Sequence, residues 1–155
     1  MKSDPLITYR RKPATLDGSS LEAFAVVLRD RVLRDRVLRD RVMRNRLARG
    51  REFHCRITND AELQSLNKQF LGNDYPTDVL SFPSENDIAI SFERARAQAR
   101  EWKHSTEDEI RILMLHGVLH LAGMDHESDT GQMKRTELRW RKKFGLPTCL
   151  IERAK

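Results

Sequence analysis

Three of the chain's five histidines fall within eleven residues, His116-Gly117-Val118-Leu119-His120-Leu121-Ala122-Gly123-Met124-Asp125-His126. They stand at i, i+4 and i+10, with a glycine at i+7. Two residues four apart on an α-helix project from one face, one turn above the other. A glycine just past them can take the left-handed conformation that ends a helix and turns the chain back. The third histidine then closes on the same point from the loop. Three neutral imidazoles converging on one point, with a fourth position open, are the ligand set of a catalytic zinc.

The His-x-x-x-His-x-x-Gly-x-x-His spacing is that of the metzincin metalloproteases, in which a glutamate after the first histidine is the general base. Here that position is Gly117, which has no side chain to take a proton. Peptide hydrolysis by that route is disfavoured. Zinc on the same ligands would still bring the pKa of a bound water toward ~7 and polarise a phosphoryl oxygen, so phosphodiester chemistry stays open. The residues leave the proton-transfer group unknown. Asp125, beside His126, reads first as a carboxylate that orients a ligand imidazole or caps the loop, and only then as a general base.

The elements that must position these ligands follow from periodicity and caps. Strands are expected over 6–10, 53–58, 79–83 and 87–91. Ser19 as N-cap with Glu22 three residues on forms a capping box at the start of the first helix. That helix is expected over about 20–48 and carries a tandem repeat, Val-Leu-Arg-Asp-Arg at 27–31, 32–36 and 37–41, with a degenerate copy at 42–46. Asp30→Arg34, Asp35→Arg39 and Asp40→Arg44 are i,i+4 pairs in the favourable order, each contributing about 0.2–0.5 kcal/mol. Five residues advance an α-helix by about 500°, so the apolar pairs spiral and part of the helix should project as a basic rod. Asp60 is expected to cap a helix to about Leu71. Helices over about 92–102, from Ser105 or Thr106 to Leu121, and over 129–143 complete an α+β pattern, with His116 and His120 on the central one.

At 155 residues the chain reads as one domain, 1–155, with room for a hydrophobic core. No apolar run approaches the ~20 residues that span a bilayer, and no signal segment is evident, which fits a soluble cytoplasmic protein. Cys55 and Cys149 lack metal-ligand spacing and read as buried apolar residues rather than a disulfide. The formal net charge is +6, and residues 1–51 hold 14 Lys and Arg against 6 Asp and Glu, whereas 52–155 hold 15 against 17. The excess positive charge is thus confined to the first third, the footprint of a nucleic-acid or membrane-surface contact or of a solvated face. His54 and His104 are expected in solvent or on a strand surface, and Trp102 and Trp140 to pack rather than stack on bases.

The histidine segment, together with Pro76-Thr77-Asp78-Val79-Leu80-Ser81-Phe82-Pro83, resembles the YbeY family of rRNA maturation factors. Leu66-Asn67 and Asp87-Ile88-Ala89-Ile90-Ser91 fit as well, so the likeness runs over about residues 53–146. It implies an α+β fold with a four-stranded mixed sheet, surrounding helices and one zinc per chain on His116, His120 and His126, at the end of a central helix. It also implies a single-strand-specific endoribonuclease that matures the 3′ end of 16S rRNA and serves ribosome quality control. The implied partners are rRNA and the small ribosomal subunit, in the cytoplasm, with no membrane and no small-molecule cofactor.

Two departures bear on activity. The family's usual arginine before the Pro-Thr motif aligns with Leu71, which neither pairs with phosphate nor stabilises developing charge. Lys68, one turn earlier, is the candidate substitute for RNA binding, and Ser81 is a second candidate substrate contact. The pentad tract also exceeds the family's shorter first helix. Three readings therefore stand: a zinc-dependent endoribonuclease first, an RNA-binding assembly factor with a structural zinc second, and a metallopeptidase last.

Overall fold

The computed structural model describes residues 4–34 and 53–153. Four strands, β1 (Ile7–Tyr9), β2 (His54–Thr58), β3 (Val79–Phe82) and β4 (Asp87–Ser91), form one mixed sheet in the order β1-β2-β4-β3. β1, β2 and β4 are parallel, and β3 runs antiparallel to β4 at the edge. The six α-helices among the described residues are α1 (Gly18–Val27), α2 (Asp60–Leu71), α3 (Phe92–Trp102), α4 (Thr106–Leu121), α5 (Gln132–Phe144) and α6 (Leu150–Arg153). The α+β expectation with a four-stranded mixed sheet is met. No described helix is long and apolar enough to cross a membrane.

The alternation of side chains along the strands divides the molecule into two layers. In register, Val79 faces Ile90 and Ser81 faces Ile88, and Cys55 and Ile57 continue that face on β2. This face carries the main core, against which α4 packs. The opposite face presents Leu80, Phe82 and Ala89 to Leu63 and Leu66 of α2. α4 is buried on nearly every side, from Ile110 through Leu119. A helix apolar all round belongs at the centre of a fold, where each fully buried Leu or Ile contributes about 1.5–3 kcal/mol.

Local caps differ from expectation at two helix starts. Asp17, not Ser19, caps α1 by accepting from the Ser20 amide at 3.1 Å. Glu22 instead accepts from the Leu6 and Ile7 amides at 2.9 and 3.0 Å, satisfying donors at the start of β1 that the sheet leaves free. Asn59 rather than Asp60 caps α2, accepting from Glu62, while Asp60 takes the Ser91 hydroxyl and the Arg94 guanidinium.

The first pentads corrected the expected periodicity. Leu28–Leu33 is π-helical, and the Arg34 amide donates to Arg29, five residues back. Such bonding brings residues five apart toward one face, so Leu28, Val32 and Leu33 all reach the core. Asp30 pairs with Arg34 at 3.2 Å as the repeat predicts. Residues 35–48 of the expected basic rod lie outside the described residues.

The C-terminal helix is tied to the centre through buried charge. Glu109 at the start of α4 is fully buried and receives Arg153 as a two-pronged fork at 2.7 and 2.8 Å. His104 Nε2 sits 2.7 Å from the same carboxylate. The His104 side chain is therefore buried, against the expectation of a solvent role: an uncompensated carboxylate in the core needs every partner available. Trp102 is partly exposed under the Arg153 guanidinium, 4.8 Å from its ring.

Candidate metal centre

α4 opens on Ser105, whose hydroxyl accepts from the Asp108 amide at 3.0 Å. It runs sixteen residues and closes in a Schellman turn: the Gly123 amide bonds His120 at 2.9 Å and the Met124 amide bonds Leu119 at 3.1 Å. Gly123 has φ +92, which only glycine takes without strain, and buried Met124 seals the turn. The chain is thereby sent back across the helix end with His126 over His116 and His120.

The three imidazoles converge as the spacing requires. Their ring centroids lie 4.7, 5.5 and 5.6 Å apart, and one nitrogen of each falls within 4.8 Å of the others. Nε2 of His116 and Nε2 of His120 are 3.1 Å apart. Two ligands at ~2.0–2.1 Å from a tetrahedral ion stand ~3.3 Å from one another, so the donor set fits a zinc-sized cation. Burial first, then the neighbouring imidazoles, pushes the His120 pKa down to about 4. Its ring is neutral at physiological pH and keeps a lone pair for a metal. A cation held there supplies Lewis acidity, neutralising charge on a phosphoryl oxygen and acidifying water.

Glu137 is the functional residue that sequence reasoning missed. Its fully buried carboxylate accepts from His116 Nδ1 at 2.7 Å through one oxygen and from the Ile151 amide at 2.9 Å through the other. The first bond fixes the proton on Nδ1 and aims the Nε2 lone pair at the site. The signal was present in the sequence: Glu137 lies on the apolar stripe Met133, Trp140, Phe144 of α5, where a lone carboxylate demands a partner. Asp125 takes the loop-capping role among those expected of it. Its oxygens accept from the Glu127 amide at 3.0 Å and the Ser128 hydroxyl at 3.1 Å, bracing the loop that carries His126.

A cleft of about 380 Å³ opens beside the histidines, lined by Thr77, Asp78, Ser81 and Pro83 from one side and by Leu150 of α6. Ser81 lines it and donates to the Gly117 carbonyl at 3.1 Å, so it ties β3 to α4 at the cleft wall. Asp78 also lines the cleft, and burial pushes its carboxyl pKa up although it accepts from Val79 and Gln98. Lys68 sits on α2, across the sheet from α4, with Asp74 3.7 Å away, and Leu71 is 53% exposed at the end of the same helix. Neither is among the residues that line the cleft.

Gly117 explains why no glutamate follows the first histidine. A Cβ there would lie 3.0 Å and 3.1 Å from Ile88 and 3.2 Å from the Ser81 hydroxyl. The position faces the sheet, and a glutamate side chain has no space. Gly117→Ala is expected to gain helix propensity but lose more in crowding, a net loss of up to about 2 kcal/mol, with the Ser81 contact displaced. Equilibrium denaturation tests this, and a variant as stable as the parent would show that the helix and sheet separate freely.

An α+β frame with three convergent imidazoles, a buried carboxylate on one of them and no peptidase glutamate suits a metal-dependent hydrolase of a class other than the peptidases. Comparison with known proteins names the family. The model for Endoribonuclease YbeY matches residues 28–145, and the chain belongs to that family. An Endoribonuclease YbeY of Solibacter usitatus is 52% identical over 151 residues, covering 95% of this chain and 92% of the relative. One from Koribacter versatilis is 51% identical over 102 residues, 63% of this chain and 67% of the relative. The solution structure of TM1509 from Thermotoga maritima superposes with a TM-score of 0.52 at 24% identity, over 91% of this chain and 93% of that one, a likeness of fold. The family is metal-dependent and hydrolyses phosphodiester bonds in RNA.

Proposed function

We propose that this chain, acting as one domain, is a zinc-dependent endoribonuclease specific for single strands. Its substrate is rRNA, in maturation of the 16S 3′ end and quality control of the small ribosomal subunit in the cytoplasm. The observation that carries this reading is the triad itself: His116, His120 and His126 meet within 4.8 Å at the mouth of an open cleft in a YbeY-family chain. His116, His120 and His126 would hold the ion, Glu137 sets the His116 tautomer, and Ser81 meets substrate from β3. Lys68 would contact RNA outside the cleft.

The second reading, an assembly factor with a structural zinc, rests on Leu71, an exposed apolar residue where the family's arginine would meet phosphate. Metal-loaded parent and Leu71→Arg proteins assayed on single-stranded and duplex RNA separate the two. The parent is expected to cut single strands, spare duplex, fall silent with chelator and recover with about one zinc per chain. Silence in the parent with activity in Leu71→Arg would hand the case to the assembly factor.

A further inference from the structure

We propose that the outward face of α5 is a docking surface for the phosphate backbone of RNA, separate from the cleft; this rests on the ribonuclease reading above. α5 carries six basic residues and a single acid, Glu137, which is buried against His116. At 100° per residue, Arg135, Arg139 and Lys142 all lie within about 40° of the direction opposite Glu137. They form one exposed stripe spaced i, i+4 and i+7, about 10 Å long.

An ordinary solvated helix face mixes signs, and like charges at these spacings repel. Here nothing on the helix offsets them. Arg135 donates to the Thr130 carbonyl at 3.4 Å and lies near enough to the Asp129 carboxylate to help hold its pKa down, whereas Arg139 and Lys142 have no acidic partner in an ion pair among the described residues. The helix dipole accounts for Arg141, Lys142 and Lys143 in the last turn, but it disfavours Lys134 and Arg135 in the first, where the acid at hand is Asp129 just before the helix, its oxygens taken by the Gly131 and Met133 amides. One cation from outside α5 joins this region: the Arg31 guanidinium lies 5.9 Å from the Trp140 ring, on which Lys143 of α5 also sits at 5.0 Å. A surface that gathers more cations than its neighbouring acids offset fits a polyanion that displaces their counterions.

RNA is favoured over other polyanions by position. The Glu137–His116 bond fixes α5 to the metal centre, so a strand on its outer face runs one helix diameter, about 10–12 Å, from the triad. The stripe would thus hold the chain beside the cut and set affinity without touching the reacting phosphate.

The test compares metal-loaded parent with a triple variant, Arg135→Gln, Arg139→Gln and Lys142→Gln. Cleavage kinetics use single-stranded RNA, and binding uses a phosphorothioate analogue over a salt series. The variant should raise KM about tenfold or more at unchanged kcat, and lower the slope of log K against log salt by about 2, near 0.7 per lost phosphate contact. The corresponding Lys-for-Arg variant, which keeps the charge, should retain the parent slope and guards against a folding artefact. Unchanged KM and slope, with the parent still cutting RNA, would overturn the docking face and leave the ribonuclease reading intact. A fall in kcat at constant KM would place these side chains in the chemistry instead and equally overturn it. Binding of phosphatidylserine vesicles that the variant loses, with RNA kinetics unmoved, would assign the face to lipid. A parent that neither binds nor cuts RNA overturns both readings.

Discussion

His120→Ala protein is expected to purify without its stoichiometric metal and to cut single-stranded RNA at least about a thousandfold more slowly than the parent. The half-buried imidazole is one of three donors within 4.8 Å of one another, and no fourth side chain of the described residues joins the cluster. Losing it leaves a bidentate site too weak to compete with water. The rate follows the metal, since Lewis-acid stabilisation of several kcal/mol corresponds to about three powers of ten. Fold should survive, because α4 is held by its apolar contacts and by Gly123, not by the ion. Metal analysis and cleavage kinetics on the same preparation decide the matter. A variant that keeps both metal and activity would remove the triad from the chemistry.

Glu137→Ala should strike stability and metal together. The carboxylate serves two buried donors, His116 Nδ1–H and the Ile151 amide. Each donor left unpaired costs about 1–3 kcal/mol, so the loss should fall near 2–6 kcal/mol by denaturation. Freed of its partner, the His116 ring loses its fixed tautomer, and metal affinity should drop about 10–100-fold in a chelator competition. Glu137→Gln separates the two effects: its amide keeps one acceptor but turns a donor toward the other N–H, so stability recovers only in part. Unaltered metal affinity in both variants would reduce Glu137 to a structural role.

The same carboxylate links the far C-terminus to the site. Arg153 locks α6 to Glu109, which places Ile151 on Glu137 and Leu150 in the cleft wall. The triad is thus supported through a chain of buried contacts from the opposite end of α4.

How much of this was legible beforehand depended on the range of the interaction. The convergence of the three histidines was, because i, i+4 spacing and the following glycine are local rules, and Gly123 with its Schellman turn obeyed them. The strands followed from alternation, and the four-stranded sheet was the family likeness's contribution. Cap residues went astray at Ser19 and Asp60 because side chains with several acceptors choose partners by tertiary supply: Glu22 went to β1, and Asp60 to Ser91 and Arg94. His104 defied expectation for the same reason, drawn inward by the buried charge of Glu109.

Local spacing alone determined that this chain gathers three histidines that could hold a metal at a helix end, without a peptidase base. Only the tertiary structure decided which carboxylate orients His116, why Gly117 admits no side chain, and that Ser81 rather than Lys68 lines the cleft. Those outcomes depend on which residues distant in sequence meet across the sheet and between helices. Burial then gives each meeting its force, because a polar group removed from water must find its partner within the fold.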